Sequence, residues 1–266
     1  MLAIGIATRT DRGKRDYNED DMRHGRAGAT WYAVLADGAG GHQRGAEASR
    51  RAVDHVEAAL KDHQAFSPDA LGAALRGAHA ELQRNQEGGS GLRRMHTTVV
   101  ALWLDARQGL ALWAHVGDSR LYRLRHGKVE TLTVDDSVVQ RMVDAGLITP
   151  AQAREHPHKN QLVAALGIEE DVDPHTSREP HSVEEGDAFL LCSDGWWESL
   201  DDDALAYTLA HAASPHDWLD QMQARIVARA KSKQDNYTAI AVWVGDPAQT
   251  TVFMDDEGDT ISRRQS

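Results

Sequence analysis

The chain has 266 residues, 41% of them hydrophobic and 26% charged, with a formal net charge of -12, a balance that allows a sizeable buried core. So acidic a chain argues against a nucleic-acid partner, which needs a basic field, yet it accommodates a phosphate substrate if bound cations reverse the local potential. Its one cysteine, Cys192, excludes an internal disulfide and fits a reducing compartment.

Met1 to Ala7 is too short for a secretory signal, and Arg9, Arg12 and Arg15 follow it too soon. No apolar run reaches membrane-spanning length, so a soluble cytoplasmic protein is expected. Trp31 to Ala36 is the first apolar run bounded by turn residues, the pattern of a buried strand. A helix from about Ala46 to Leu60 follows, with Ala52, Val53, Val56 and Leu60 on its buried face. Ser67-Pro68-Asp69 then supplies an N-cap, a proline at the first helical position and an early acid. Leu71, Leu75, Ala78 and Leu82 recur at helical spacing until Gly88-Gly89-Ser90-Gly91 ends the segment. Strands are predicted at Thr98 to Trp103 and Gly109 to Val116, then a helical patch near 137–166, where Thr149-Pro150-Ala151-Gln152 has the form of a capping box. A strand from Ala188 to Ser193 leads to a helix opened by Ser214-Pro215-His216-Asp217. The stripe of that helix is Trp218, Met222, Ile226 and Ala230, and Tyr237 to Val244 is the last strand. Strict alternation of strand and helix is absent, which disfavours a parallel doubly wound sheet. An α+β fold of two antiparallel sheets covered by helices fits the order better. Residues 247–266, with Asp255-Asp256-Glu257-Gly258-Asp259, are expected to form a flexible acidic tail.

Four acidic elements sit beside glycine, asparagine or a strand end: Asn18-Glu19-Asp20, Ala36-Asp37-Gly38, Ser193-Asp194-Gly195 and Asp235-Asn236. Asp37 and Asp194 share one setting, an apolar strand followed by an Asp-Gly turn. A carboxylate there is held rigidly with its oxygens free, and the glycine lets the backbone turn and present a carbonyl. Oxygen donors select hard cations such as Mg²⁺ and Mn²⁺ over Zn²⁺. Two ions sharing a carboxylate can activate water for in-line displacement at phosphorus. Taken singly, an Asp-Gly after a strand is more often only a turn.

The acidic elements belong to a longer series. Arg15-Asp16-Tyr17-Asn18-Glu19-Asp20 comes first, then Ala36-Asp37-Gly38-Ala39-Gly40-Gly41-His42 with Gly45-Ala46-Glu47-Ala48-Ser49, then Thr97-Thr98. Val116-Gly117-Asp118-Ser119-Arg120, Leu132-Thr133-Val134-Asp135-Asp136-Ser137 and Ala165-Leu166-Gly167 follow. Leu191-Cys192-Ser193-Asp194-Gly195 and Asp235-Asn236-Tyr237-Thr238 close it. In this order, between Ile4 and Val244, the motifs resemble the PPM family, the PP2C-type serine/threonine phosphatases, and most of all its compact bacterial members.

The resemblance implies an α-β-β-α sandwich of two antiparallel sheets flanked by helices over residues 1–246, with a flap at about 136–167. It implies hydrolysis of phosphoserine and phosphothreonine in proteins by water activated between two Mn²⁺ or Mg²⁺ ions, reversing a serine/threonine kinase, with no phosphoenzyme. Asp37 would bridge both ions, with the Gly38 carbonyl completing the first site, and Asp194 and Asp235 would hold the second. Glu19 and Asp20 would bind directly or through water, and Asp118 with Asp194 would form a third, weaker site. Arg15 would grip the phosphate, as a guanidinium with two parallel donors can. The implied partners are phosphorylated proteins, namely a kinase and its substrates. A monomer is expected because no heptad or apolar stripe calls for a second copy. At this level a catalytically silent binding or sensor module, and a phosphatase of small metabolites, stay open as alternatives.

Three positions depart from the usual bacterial pattern: Ala39 for methionine, His96 for glycine, and Asp136 for histidine. Asp136 bears on flap contacts, and His96 on the backbone beside it. The proton donor to the leaving group is unassigned; His42 is one choice, against a role in capping the glycine turn. The 14 histidines show no paired helical spacing of a zinc site. Most are expected at the surface, His156 and His158 in a solvated flap loop. Cys192 lacks the arginine of a Cys-x5-Arg loop and is expected to be structural. Of Trp196 and Trp197, one is expected in the core and the other partly exposed.

Overall fold

The computed structural model describes residues 1–39, 43–62, 65–86, 95–229 and 234–247, with the backbone of 253–254 and 260–261. In chain order the first elements are β1 (Ile4–Asp11), β2 (Asp20–Ala27), β3 (Thr30–Ala39), α1 (Gln43–Asp62) and α2 (Pro68–Arg84). Next come β4 (His96–Thr97), β5 (Val99–Asp105), β6 (Leu110–Val116), β7 (Arg120–Arg125), β8 (Lys128–Thr131), α3 (Val138–Asp144) and α4 (Pro150–Arg154). The last are β9 (His175–Thr176), β10 (His181–Ser182), β11 (Ala188–Cys192), α5 (Asp194–Trp197), α6 (Asp202–His211), α7 (Pro215–Ala228), β12 (Tyr237–Val244), β13 (Phe253–Met254) and β14 (Thr260–Ile261).

Two antiparallel sheets stack face to face. One has the order β1-β12-β11-β7-β8, and the other β10-β6-β5-β3-β2, with β4 beside β3 and β9 beside β6. Leu35, Val100, Leu102, Phe189, Leu191, Ile240 and Val242 fill the space between them. The opposite face of the second sheet packs under α1 and α2 through Val53, Val56, Leu71, Leu75 and Leu82. That of the first packs under α6 and α7 through Leu205, Trp218, Met222 and Ile226. With both faces covered, β5 and β12 are buried at every position, which is why they read as continuous apolar runs. Each buried leucine or valine contributes about 1.5–3 kcal/mol.

The predicted helix starts form as their chemistry dictates. Ser67 Oγ accepts from Ala70 N with Pro68 behind it, and Thr149 with Gln152 closes a reciprocal capping box. Ser214 Oγ accepts from Asp217 N. Ala230, the last residue of the predicted stripe on α7, lies outside the described residues, as do Gly40, Gly41, His42 and the 88–91 glycine segment.

Elsewhere the structure corrects the sequence reading. β3 runs three residues past Ala36, so Asp37 and Gly38 belong to a strand, with Gly38 opposite Thr97 of β4. Asp194 instead opens the single helical turn α5, so the two Asp-Gly pairs do not share a setting. β1, β2, β7, β8 and α6 carried no clear apolar signal. The patch near 137–166 holds only two short helices, α3 and α4. Within the tail, β13 and β14 pair antiparallel, and residues 255–259 lie outside the described residues.

Candidate metal centre

The acids of the sequence motifs meet at one end of the sandwich, brought there by pairings between distant segments. Register places Asp20 of β2 opposite Asp37 of β3. Ser193, at the end of β11 in the other sheet, donates its hydroxyl to Asp20 Oδ2 at 2.9 Å and accepts from Thr238 N at 3.0 Å. Asn236 ties down the loop between β1 and β2. Its side-chain amide donates to the Arg12 and Tyr17 carbonyls, both at 2.9 Å, and its oxygen accepts from Glu19 N at 2.8 Å. Arg15, on that loop, reaches Asp235 Oδ2 at 2.5 Å. On the far side Thr98 Oγ1 accepts from Asp37 N at 3.0 Å and pairs with Ser119 Oγ at 2.7 Å.

Gly38 is required here by crowding rather than by backbone angle. A Cβ at that position would lie 2.2 Å from the Gly45 carbonyl oxygen and 2.6 Å from that of Glu19. Gly195 is as tightly held, 2.0 Å separating a notional Cβ from the Asn236 carbonyl oxygen. These close approaches bring five chain segments together behind the acids.

The electrostatics follow from packing several carboxyls into a crowded, partly buried end of the fold. Burial pushes the Asp20 carboxyl up to about 6, against hydrogen bonds from Thr238 and Ser193 that favour its charged form. Asp118 is pushed up to about 7 by burial and then by the charge of Asp135, with Arg120 opposing. Asp37 and Asp194 rise well above the usual carboxylate range, first through burial and then through repulsion by neighbouring acids, among them Asp118 and Asp235. Such a cluster holds protons or cations to relieve its own repulsion.

The donors suit hard divalent ions. They are oxygen throughout, and Asp20 Oδ1 is buried without a hydrogen-bond partner.

Beside the acids stands the segment 136–167. Its root is clasped by hydrogen bonds from Asp136 N to Gly117 O and from Val163 N to Asp136 O, and Leu166 exchanges two backbone bonds with Thr97. Arg120 grips Asp135 through two parallel bonds at 3.0 and 2.7 Å and lies 3.6 Å over the Trp197 ring. Trp197 donates its indole N–H to the Asp118 carbonyl at 3.0 Å. Trp196 is fully buried and Trp197 is partly exposed. A groove of mixed charge, in which Lys159 pairs with Glu198 and Arg154 faces the same space as Asp201 and Asp202, runs between α3–α4 and β7.

The altered positions are accommodated. His96 pairs with Ala39 across β3 and β4, and Asp136 takes up contacts with Gly117 and His175. Cys192 is buried, and burial pushes its thiol pKa up, the state of an inert core residue. The polar residues that position the acids, Asn236, Ser193, Thr98 and Ser119, were not singled out by motif reasoning, although each lies within a motif. Two histidines are buried, His79 and His115, at 6% and 4% exposed.

A sandwich of two antiparallel sheets whose end gathers oxygen donors from both layers defines a protein built around hard divalent cations. Residues 9–234 match the family model described as Protein phosphatase 2C, and the chain belongs to that family. It is 37% identical over 214 residues to the serine/threonine protein phosphatase PstP of Mycobacterium tuberculosis, covering 78% of this chain and 39% of that protein. The chain thus spans about two fifths of the length of that relative. The serine/threonine phosphatase stp of Listeria welshimeri is 32% identical over 247 residues, covering 88% of this chain and 93% of its own. Among solved structures, the catalytic domain of PstP in complex with two manganese ions superposes with a TM-score of 0.79 at 29% identity, covering 92% of this chain and 100% of that one. Among the described residues, no helix is long and apolar enough to cross a membrane.

Proposed function

We propose that this chain is a protein phosphatase that hydrolyses phosphoserine and phosphothreonine with two Mn²⁺ or Mg²⁺ ions, a third binding more weakly. The observation that carries the reading is the convergence of Asp20, Asp118, Asp194 and Asp235 on Asp37, whose carboxyl is raised first by burial and then by the charges of those four. Asp37 feels the other four, the position expected of a carboxylate bridging both ions. The Gly38 carbonyl would help hold the first ion, Asp194 and Asp235 the second, and Asp118 with Asp194 the third. Glu19 and Asp20 would bind directly or through water. When bound, such ions lower the pKa of water and neutralise charge at phosphorus.

The chain's own side chains do the rest. Arg15 is 60% exposed along its side chain and carries a hydrogen bond to Asp235 that it can exchange for two bonds to a phosphate. Thr98 and Ser119 fix the Asp37 backbone. The substrates are the phosphoproteins of a serine/threonine kinase, met in the cytoplasm by a monomer.

The test is hydrolysis of p-nitrophenyl phosphate and of a phosphothreonine peptide by chelator-treated protein, with Mn²⁺ or Mg²⁺ titrated back. Turnover that needs metal and falls at least a thousandfold in Asp37→Asn is expected. A folded, metal-loaded protein inert on both substrates, or full activity in the variant, would overturn the reading.

A further inference from the structure

The geometry points to a second kind of metal site, formed by His115, Asp136 and His175, that takes a late divalent transition metal such as Zn²⁺ rather than Mg²⁺. The three residues come from β6, from the root of the 136–167 segment and from β9, so no local spacing connects them. β6 and β9 pair with His115 opposite His175, and the two rings stack with centroids 5.0 Å apart at 19°. One nitrogen of each ring and one Asp136 oxygen lie within 4.8 Å of one another.

His115 supplies the independent sign of a ligand. It is 4% exposed, and its Nε2 bonds the Val134 carbonyl at 2.8 Å. A carbonyl only accepts, so Nε2 carries the proton and Nδ1 is left with a lone pair. That Nδ1 is buried and has no hydrogen-bond partner, an uncommon state for a polar atom in a folded interior. An imidazole fixed by a carbonyl through one nitrogen and open at the other is the usual arrangement of a metal-binding histidine. Burial lowers its pKa, which keeps the ring neutral and able to ligate.

The other two donors are also prepared. Asp136 Oδ2 accepts from Gly117 N at 2.9 Å while Oδ1 faces His175 Nε2 at 2.9 Å. The His175 side chain is 56% exposed on a strand of two residues, so it can swing. Bonds of about 2.0–2.1 Å in a tetrahedral site place donors roughly 3.3 Å apart, a closure that His175 alone can supply. Two nitrogens and one carboxylate, with a fourth position open to water, match zinc and its neighbours, whereas Mg²⁺ demands oxygens. Asp136 also anchors both roots of the 136–167 segment through its backbone. A metal held here would fasten that segment to β6 and to the turn carrying Asp118.

The site stands independently of the proposed catalytic reading and is tested by binding rather than turnover. Full-length chain is stripped with chelator, placed in excess Mg²⁺ to fill the oxygen centre, and titrated with Co²⁺. One equivalent is expected to give the intense visible bands of tetrahedral cobalt with nitrogen donors, and Zn²⁺ is expected to bleach them. His175→Ala and Asp136→Asn should each weaken Co²⁺ at least tenfold, with His158→Ala, a flap histidine outside the cluster, binding as wild type does. Because His175 is exposed, its variant decides the matter should Asp136→Asn misfold. Absence of the bands in wild type, or equal bands in His175→Ala, would overturn the site.

Discussion

Replacing Asn236 by alanine tests whether the loop carrying Arg15 and Glu19 is held from the other end of the chain. The Asn236 side chain is 5% exposed and makes three hydrogen bonds, to the Arg12 and Tyr17 carbonyls and from Glu19 N. Each is worth about 0.5–1.5 kcal/mol net, and the stranded partners add desolvation, so a loss of about 3 kcal/mol is expected. For a domain of this size that corresponds to a fall in Tm of roughly 6–12 °C. A displacement of about 1 Å in Arg15 or Glu19 should lower turnover by about a hundredfold. Thermal unfolding in saturating Mg²⁺ and p-nitrophenyl phosphate hydrolysis read the two effects separately. A variant within 1 kcal/mol of wild type and fully active would show that the loop is held by something else.

Two further outcomes follow from charge. Folded Asp118 keeps its proton to about pH 7, whereas in the unfolded chain it loses it near 3.9. The folded state then binds the extra proton between those values, and its stability drops as pH rises through that window. In chelator, Asp118→Asn should therefore match wild type near pH 4 and exceed it near pH 8 in urea unfolding; an advantage that shrinks with pH would contradict the repulsion argued here. Arg15→Ala should change stability by less than about 1 kcal/mol, since its ion pair with Asp235 is largely exposed. It should also lower kcat/KM at least tenfold through a raised KM; unchanged kinetics would remove Arg15 from phosphate binding.

What could be read beforehand follows from where water is absent. β5, β12, α2 and α7 were legible because their apolar residues are buried on every side or along one capped stripe. β2 and the β7–β8 hairpin were not, since charged residues interrupt their apolar positions and β2 lies at a sheet edge. The turn between β7 and β8 uses His126 at φ 49° beside Gly127 at φ 74°, a left-handed pair that histidine does not advertise. The acids stood out by type and order along the chain. Their support did not, because Ser193 with Asp20 and Asn236 with Glu19 meet only after the sheets have paired. The trio of His115, Asp136 and His175 is the extreme case, assembled by a two-residue strand.

The pairing of β1 with β12, from Ile4 opposite Val244 to Asp11 opposite Tyr237, has a consequence for biosynthesis. β12 is the last strand of the sandwich to be made, yet it slots between β1 and β11, and Asp235 and Asn236 immediately precede it. A nascent chain on the ribosome therefore carries β1 without its neighbour and the Arg15 loop without its staple until residue 244 has cleared the exit tunnel. Closure of the sandwich and completion of the acidic centre become a single late event, so a prematurely terminated chain has neither.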